Sequence, residues 1–509
     1  MSTEELPRSA AGGRSPWLIG VIVSIATFME VLDTTIVNVS LRNIAGSLAA
    51  SYDESTWILT SYLISNAIVL PISGWLATVI GRKRFYMGCV AVFTLASASC
   101  ALSSSLTWMV VSRFAQGAGG GGLAPTEQAI FADTFPVRMR PQAFALYGLT
   151  VVSAPAVGPV LGGWITDTYS WHWVFLINLP VGLLSLLLVH RFVAEPPALE
   201  EDRRRALAGG LQVDAIGFAL VVLGFGALQI VLDRFNLDDG FSSSFITGLS
   251  VIAGASLAAL VVRELLVEKP IVNLRLFAHS RGFAISCGLM FLVGFVLIST
   301  TQLLPELTQE LMGYDAFEAG LTLGLGGVVT FFVMPLAGLV TGRLVQPKWL
   351  VMTAILATGL VLVHWSGLNL DISFWTVSVA RMLQVIWLPF LFIPISAVSY
   401  VGVPADANNE ASALINLMRN LGGSVGVSFV QTLLSWRTQF HYERLGSHIT
   451  AYDGYGFGRA LGQIATAVET QAQVMSFLDI FWLLGVIALC AWPLALFLPR
   501  MPKGAAPAH

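Results

Sequence analysis

Between Pro16 and Leu498 the chain repeats one unit: about twenty apolar residues, then a short polar break. At 1.5 Å rise per residue, about twenty residues carry a helix across a hydrocarbon core of about 30 Å. Lipid offers backbone N–H and C=O groups no partner, so such stretches cross it as helices. Fourteen can be read, at 16–40, 55–77, 84–103, 107–131, 143–166, 173–191, 213–232, 245–263, 282–304, 317–340, 349–367, 373–401, 411–434 and 475–498. Charged residues make up only 11% of the chain, against about 25% in soluble domains. The expected fold is an all-α polytopic membrane protein. The net charge of −3 gives no footing for nucleic acid.

Lys and Arg set the orientation. With the N-terminus inside, nineteen of the 27 basic residues fall on the inner side, five on the outer side, and Arg113, Arg381 and Arg419 within spans. Both termini are therefore expected in the cytoplasm. An internal repeat divides the spans. Pro71 to Gly74 followed by Gly81-Arg82 recurs as Pro335 to Gly338 followed by Gly342-Arg343, and Arg113 to Gln116 recurs as Arg381 to Gln384. The expected plan is two six-helix bundles of like orientation, 16–191 and 282–498, around an inserted helix pair at 213–263. Polar tails lie at 1–15 and 499–509, and cytoplasmic linkers at 192–212 and 264–281. The outer segment 435–474 is too long for a turn and reads as a loop, a helical hairpin or a partner contact. The tail before Pro16 has no cleavage site after a short apolar core, so the first span is expected to stay.

The first span holds two acids, Glu30 and Asp33, three residues apart and hence near one face of a helix. A carboxylate at bilayer depth costs roughly 2.5–3.5 kcal/mol on insertion scales, so a helix that keeps two points them at a polar cavity, where such groups commonly carry protons. Thr34, Thr35 and Asn38 follow and would keep that cavity wet. Arg113, near the outer end of span 4, needs a partner, with Asp33 or Glu30 the natural choices; otherwise it snorkels to the surface. Glu127 lies fourteen residues on, about 21 Å along the helix, in the cavity or at its inner mouth. In span 5, Pro155 and Pro159 remove helix hydrogen bonds while Gly158, Gly162 and Gly163 leave a smooth face on which the halves could close. Between spans 2 and 3, Gly74 and Gly81 permit close packing, Arg82, Lys83 and Arg84 anchor the inner surface, and Asp133 is placed to pair with them. Four cysteines in apolar stretches, without CxxC spacing, read as small buried hydrophobes forming no disulfide, and no metal-ligand or nucleotide-binding motif appears.

Leu32 to Leu41, Gly74 to Arg84, Arg113 to Gly122 and Ala154 to Gly163, in that order, resemble the major facilitator superfamily, and more closely its fourteen-span drug–proton antiporters of the EmrB/QacA type. Trp171 to Pro180 is similar to that group too. The resemblance implies a proton-coupled multidrug exporter of lipophilic, and by its extra acids cationic, compounds, working by alternating access in a bacterial inner membrane. An exporter of fatty acids or lipids on the same fold is the alternative. It is expected to be no enzyme and to need no cofactor or metal, only the proton gradient. By the resemblance, Arg113 takes part in proton exchange, the span 5 motif seals the cavity, and the Arg82 loop is an inner latch. Gram-negative members work with a periplasmic adaptor and an outer-membrane channel, for which 435–474 is the contact candidate. The chain departs from the family pattern at Thr78, where an acid is common, at Arg42 in place of Pro, and at His172 in place of Arg. Glu30 and Glu127 are not general family features.

Overall fold

A computed structural model describes residues 15–195, 200, 214–267, 270–369, 372–404, 407–448 and 459–501. The termini and most of the polar linker expected at 192–212 lie outside these residues.

The apolar stretches fold as helices joined by short breaks. In chain order these are α1 (Pro16–Ser47), α2 (Trp57–Ile80), α3 (Arg82–Ala101), α4 (Leu106–Gly120), α5 (Leu123–Thr134), α6 (Arg140–Thr168), α7 (Asn178–Phe192), α8 (Ala215–Arg234) and α9 (Ser244–Leu266). Then come α10 (Arg281–Glu306), α11 (Ala316–Val340), α12 (Pro347–Trp365), α13 (Phe374–Val385), α14 (Leu388–Ser399), α15 (Asn408–Gly446) and α16 (Arg459–Ala491). Shorter turns are left unnumbered. Caps mark several starts: Ser105, Asp214, Ser280 and Ser373 each accept a first-turn N–H, and Asp315 and Glu318 form a capping box. Gly81 turns α2 into α3 at φ +97°, a conformation that a side chain disfavours.

Among the described residues, twelve helical segments are long and apolar enough to cross a membrane. The two other expected spans take different forms. Residues 107–131 break into α4 and α5 at Gly121–Gly122, each piece shorter than a crossing; 411–434 falls in α15, which carries polar residues along its length. The surface where α1 begins is here the near face, and the opposite surface the far face.

The halves follow one plan. In the first, α1 packs along α6, with Gly158 against Thr35 and Gly162 against Ile36. In the second, α10 packs along α15, with Gly294 on the Arg419 carbonyl and Gly422 and Gly426 on the Phe291 and Phe295 carbonyls. Between halves, α6 meets α11, where Gly338 faces Ala145 and Gly148 faces Met334, and α2 meets the start of α15, where Gly74 faces the Glu410 backbone. The pair α8–α9 lies against both halves. Asp233 accepts from Thr60 of α2, Arg234 lies over the Trp57 ring at 4.8 Å, and Gln229 accepts from Ser424 of α15 at 3.2 Å.

The segment 435–474 is helical where described: α15 runs on to Gly446 and α16 starts at Arg459. At 39 residues, α15 is about 58 Å long, well beyond a bilayer core. Arg437 and His441 both meet Asp479 of α16 and tie this hairpin together. Its tip, 449–458, lies outside the described residues.

Cys89, Cys100 and Cys287 are buried and free, as small hydrophobes would be. Cys490 differs: its side chain is exposed, because that face of α16 has no neighbouring helix to cover it.

Candidate functional site

The densest buried polar cluster surrounds Asp33. It sits mid-way along α1, 1% exposed. Arg113 of α4 donates from Nη1 to Asp33 Oδ2 at 2.7 Å. Gln116, one turn further on, donates to Oδ1 at 2.9 Å, and Asn178 at the start of α7 donates to Oδ1 at 2.6 Å. The carboxylate thus has three donors from two other helices. Arg113 is itself 1% exposed, with Nε on the Ile58 carbonyl at 3.2 Å and Nη1 on Gln116 at 2.6 Å. Its guanidinium lies over Tyr62 at 4.5 Å, a cation–π contact. This is no snorkelling side chain.

The arrangement follows from local sequence. Arg113 and Gln116 are one turn apart on α4 and face the same way. The glycines after them let α4 close on its neighbours: a methyl at Gly117 would overlap the Tyr62 carbonyl, and one at Gly119 would lie 2.8 Å from the Cys89 carbonyl. A buried ion pair is not in itself a large source of stability, yet removing one partner costs about 3–5 kcal/mol by stranding the other charge. Protonating Asp33 would do the same to Arg113, so the protonation state of this carboxyl is coupled to helix packing.

Two further acids within spans of the first half, Glu30 and Glu127, lie nearer the near face than Asp33. Glu30 accepts from Tyr62 at 3.2 Å and from Asn66 at 3.4 Å, both on α2. Glu127, on α5, is fully buried and accepts from Ser24 at 2.6 Å. Arg113 therefore takes Asp33 rather than Glu30. Asn38 is exposed and joins none of these groups, because the cluster faces α4 and α7 while Asn38 lies elsewhere on α1. Thr34 and Thr35 bond back to carbonyls of α1.

The proline–glycine residues of α6 divide by direction. Gly158 and Gly162 close on α1 of their own half, and a methyl at Gly163 would meet nothing within 4 Å. Pro155 lies within the helix, and Pro159 approaches the opposite half, 3.6 Å from where a methyl on Gly320 would sit. The smooth face of the glycines thus serves the α1–α6 contact, and the contact with the other half runs through neighbouring positions.

The near-face latch is built across the halves. Arg82 pairs with Asp133 and also donates to Asn409 Oδ1 at 2.6 Å. Asn408 donates to Asp133 at 2.6 Å, and Asn409 donates to Thr78 at 3.3 Å. Thr78 thus stands in a neutral hydrogen bond where the family pattern has an acid. Further along, Ser412 donates to the Pro125 carbonyl, Gln128 and Asn416 exchange bonds at 2.9 and 3.3 Å, and Arg419 donates to Tyr147 at 3.1 Å. Gln116, Asn178, Ser24, Asn409 and Asn416 were not singled out from sequence. For Gln116, Asn178, Ser24 and Asn416 the available signal is the one that marks Glu30, a polar side chain inside an apolar run; Asn409 stands in the polar stretch 405–410 and carries no such mark.

In the second half, Arg381 and Gln384 of α13 repeat Arg113 and Gln116. Arg381 is buried, donating to Gln384 at 2.7 Å, Thr300 at 3.3 Å and Thr301 at 2.7 Å. Among the described residues, its Nε has no hydrogen-bond partner and the cluster contains no acid. Beside Gln384 opens an apolar pocket, lined chiefly by Val and Leu of α10 and α14 with Thr358 of α12. Among the described residues, no group of three or more His, Cys, Asp or Glu side chains gathers in metal-ligand fashion.

Residues 23–427 match the model of the Major Facilitator Superfamily. The chain is 34% identical to the multidrug export protein EmrB of Escherichia coli K12, covering 96% of each. It is 32% identical to the fatty acid resistance protein FarB of Neisseria gonorrhoeae, covering 92% of this chain and 93% of that one. Among solved structures, the human organic anion transporter MFSD10 shares the fold at a TM-score of 0.63 and 13% identity, covering 95% of this chain and all of the other.

Proposed function

Because the chain belongs to the major facilitator superfamily, in its EmrB-type multidrug export branch, we propose that it is a proton-driven exporter of lipophilic compounds. The buried Asp33–Arg113 pair carries this reading. It places one protonatable carboxyl where its charge state decides whether α1, α4 and α7 stay clamped. A proton from outside would neutralise Asp33, release Arg113 and let the halves rock; loss of that proton inside would reset the clamp. The membrane potential adds roughly 2.3 kcal/mol per charge per 100 mV when the cycle moves net charge. No cofactor is needed for such a cycle.

The protein is a multi-pass membrane transporter. We read fourteen spans in two bundles with an inserted pair, both termini in the cytoplasm, in a bacterial inner membrane. The near face is then cytoplasmic. The side-chain hydrogen bonds found between the halves gather there, from Thr78–Asn409 to Tyr147–Arg419, which supports a state closed to the inside. The α15–α16 hairpin would stand in the periplasm and meet an adaptor that leads to an outer-membrane channel.

A second reading is export of fatty acids or similar anionic amphiphiles. It is favoured by FarB and by Arg381, a buried cation with no acid beside an apolar cavity. Both readings are tested by gradient-driven transport in inverted vesicles, with a cationic dye and a fluorescent fatty acid compared. Movement of the dye, lost in Asp33→Asn, supports the first. Movement of the fatty acid alone, lost in Arg381→Gln, supports the second. No gradient-driven movement of either would end the proton-driven reading.

A further inference from the structure

A stripe of polar residues leads from Asp33 towards the near face. Asp33, Glu30, Thr27 and Ser24 follow one another at intervals of three along α1, so each lies beside the next while the stripe winds round the helix. It covers about 14 Å of rise. At its end Ser24 donates to Glu127 Oε1; the Thr27 hydroxyl lies beside the same carboxyl, and among the described residues neither it nor Glu127 Oε2 makes a hydrogen bond of good geometry. The groups around Glu127 are Ser24 and Thr27 of α1, Tyr86 of α3, and Tyr147 of α6, which is bonded to Arg419; Arg419 also acts on Glu30. None of the contacts of Glu127 is an ion pair. An intramembrane carboxyl is a functional candidate by default, and proton relays are one of the uses to which such acids are put.

The helix that bears Glu127 is also the one held by the opposite half. On α5, the Pro125 carbonyl takes Ser412, Gln128 clasps Asn416, and Asp133 takes Asn408. The Gly121–Gly122 break separates α5 from α4, whose Arg113 grips Asp33. So α5 can shift once the second half lets go of it, while α4 stays with the ion pair; Arg82, on Asp133 and the Ala129 carbonyl, and Arg140, on the Ala132 carbonyl, keep α5 with the first half.

We propose that Thr27, Ser24 and Glu127 form the near-side exit for the proton of Asp33, and that α5 gates it. The inference rests on the proton-driven reading above. A proton held by the Asp33 carboxyl passes to the Glu30 carboxylate, which restores the Asp33 carboxylate. It then crosses the Thr27 and Ser24 hydroxyls, each giving its own proton forward and taking one from behind, to the Glu127 carboxylate. When the second half swings away, α5 loses its three ties and Glu127 meets near-face water, to which it gives the proton as hydronium. One proton enters, one leaves, and no residue is changed.

The test uses the full chain in proteoliposomes with an imposed pH gradient, ethidium as cargo and a trapped pH dye. Wild type is expected to move ethidium against protons. Glu127→Gln should slow gradient-driven movement roughly a hundredfold, the scale of a lost acid–base group, and Glu127→Asp should recover part of it. Ser24→Ala with Thr27→Val leaves every acid in place and should slow it roughly fivefold, the scale of one lost hydrogen bond. In detergent, ethidium added to wild type should release protons into weakly buffered solution, and monodisperse Glu127→Gln should release fewer. Wild-type rates in monodisperse Glu127→Gln, or in the double hydroxyl variant, would overturn the path while leaving the coupled reading intact. A wild type that moves ethidium without protons would overturn both.

Discussion

Two arginines stand at corresponding places in the two halves and live in different company. Arg113 faces a carboxylate, an amide and a carbonyl. Arg381 keeps the amide, through Gln384, but finds Thr301 where the first half has Asp33. Both offsets are 268 residues along the chain. The scaffold thus supports a buried guanidinium with or without an acid, and only the first half turns it into a group whose charge balance a proton can change. The second half has instead a fixed positive site next to an apolar cavity. Under the proposed function, the first half would carry the energy coupling and the second would be left available for cargo.

The largest effect that would break this contrast is at Asp33. Asp33→Asn should abolish gradient-driven transport and cost about 3–5 kcal/mol by stranding Arg113. Adding Arg113→Gln should recover stability without recovering transport, measured by thermal unfolding beside vesicle efflux. Thr301→Asn, the matching change in the second half, should alter neither by a comparable amount.

A steric contrast comes next. Gly117 has no room for a methyl, whereas Val385 holds the corresponding place in the second half. Gly117→Val should cost about 3 kcal/mol or more by overpacking, and show as lost monodisperse yield. Val385→Gly should cost less, because Val385 already borders the open cavity.

Thr301→Asp sharpens the comparison by giving Arg381 the acid it lacks. It should raise stability by roughly 1–2 kcal/mol, as a charged hydrogen bond to an uncompensated buried cation. If the variant instead unfolds at lower temperature, the second site is more hydrated than its burial indicates. At the near face, Asn409→Ala removes bonds to both Arg82 and Thr78 and should weaken the latch by about 1–2 kcal/mol, read as faster alkylation of a cysteine placed at Gln128.

The smallest effect lies outside the bundles. Asp214, which caps α8, is held below the usual carboxylate range by its hydrogen bond with Arg263. A depressed folded value means the contribution is present above the unfolded value of about 4 and is lost as pH falls through the lower folded one. Since the Arg263 side chain is 33% exposed and water screens the pair, Asp214→Asn should cost only about 0.5 kcal/mol above that window and nothing below it.

Much of this was legible in the residues. The run of apolar stretches required membrane-crossing helices, because lipid leaves the backbone no other solution. Acids inside such stretches had to be paired or functional, since their insertion cost is local and does not depend on the fold. The repeat of Arg113 to Gln116 as Arg381 to Gln384 announced two halves, and Asp133 was legible as the partner of Arg82. What the chain order could not decide is which polar groups meet. Arg113 chose Asp33 over Glu30, three residues away, because α4 and α7 converge on one side of α1 and α2 on another. Gly158 and Gly162 turned to α1 and not to the opposite half for the same reason. Asn409 reached Arg82 and Thr78 across 327 and 331 positions of sequence. Burial cost is written residue by residue, so the sequence alone determined that these groups must be satisfied; helix packing, which no local pattern encodes, decided by whom.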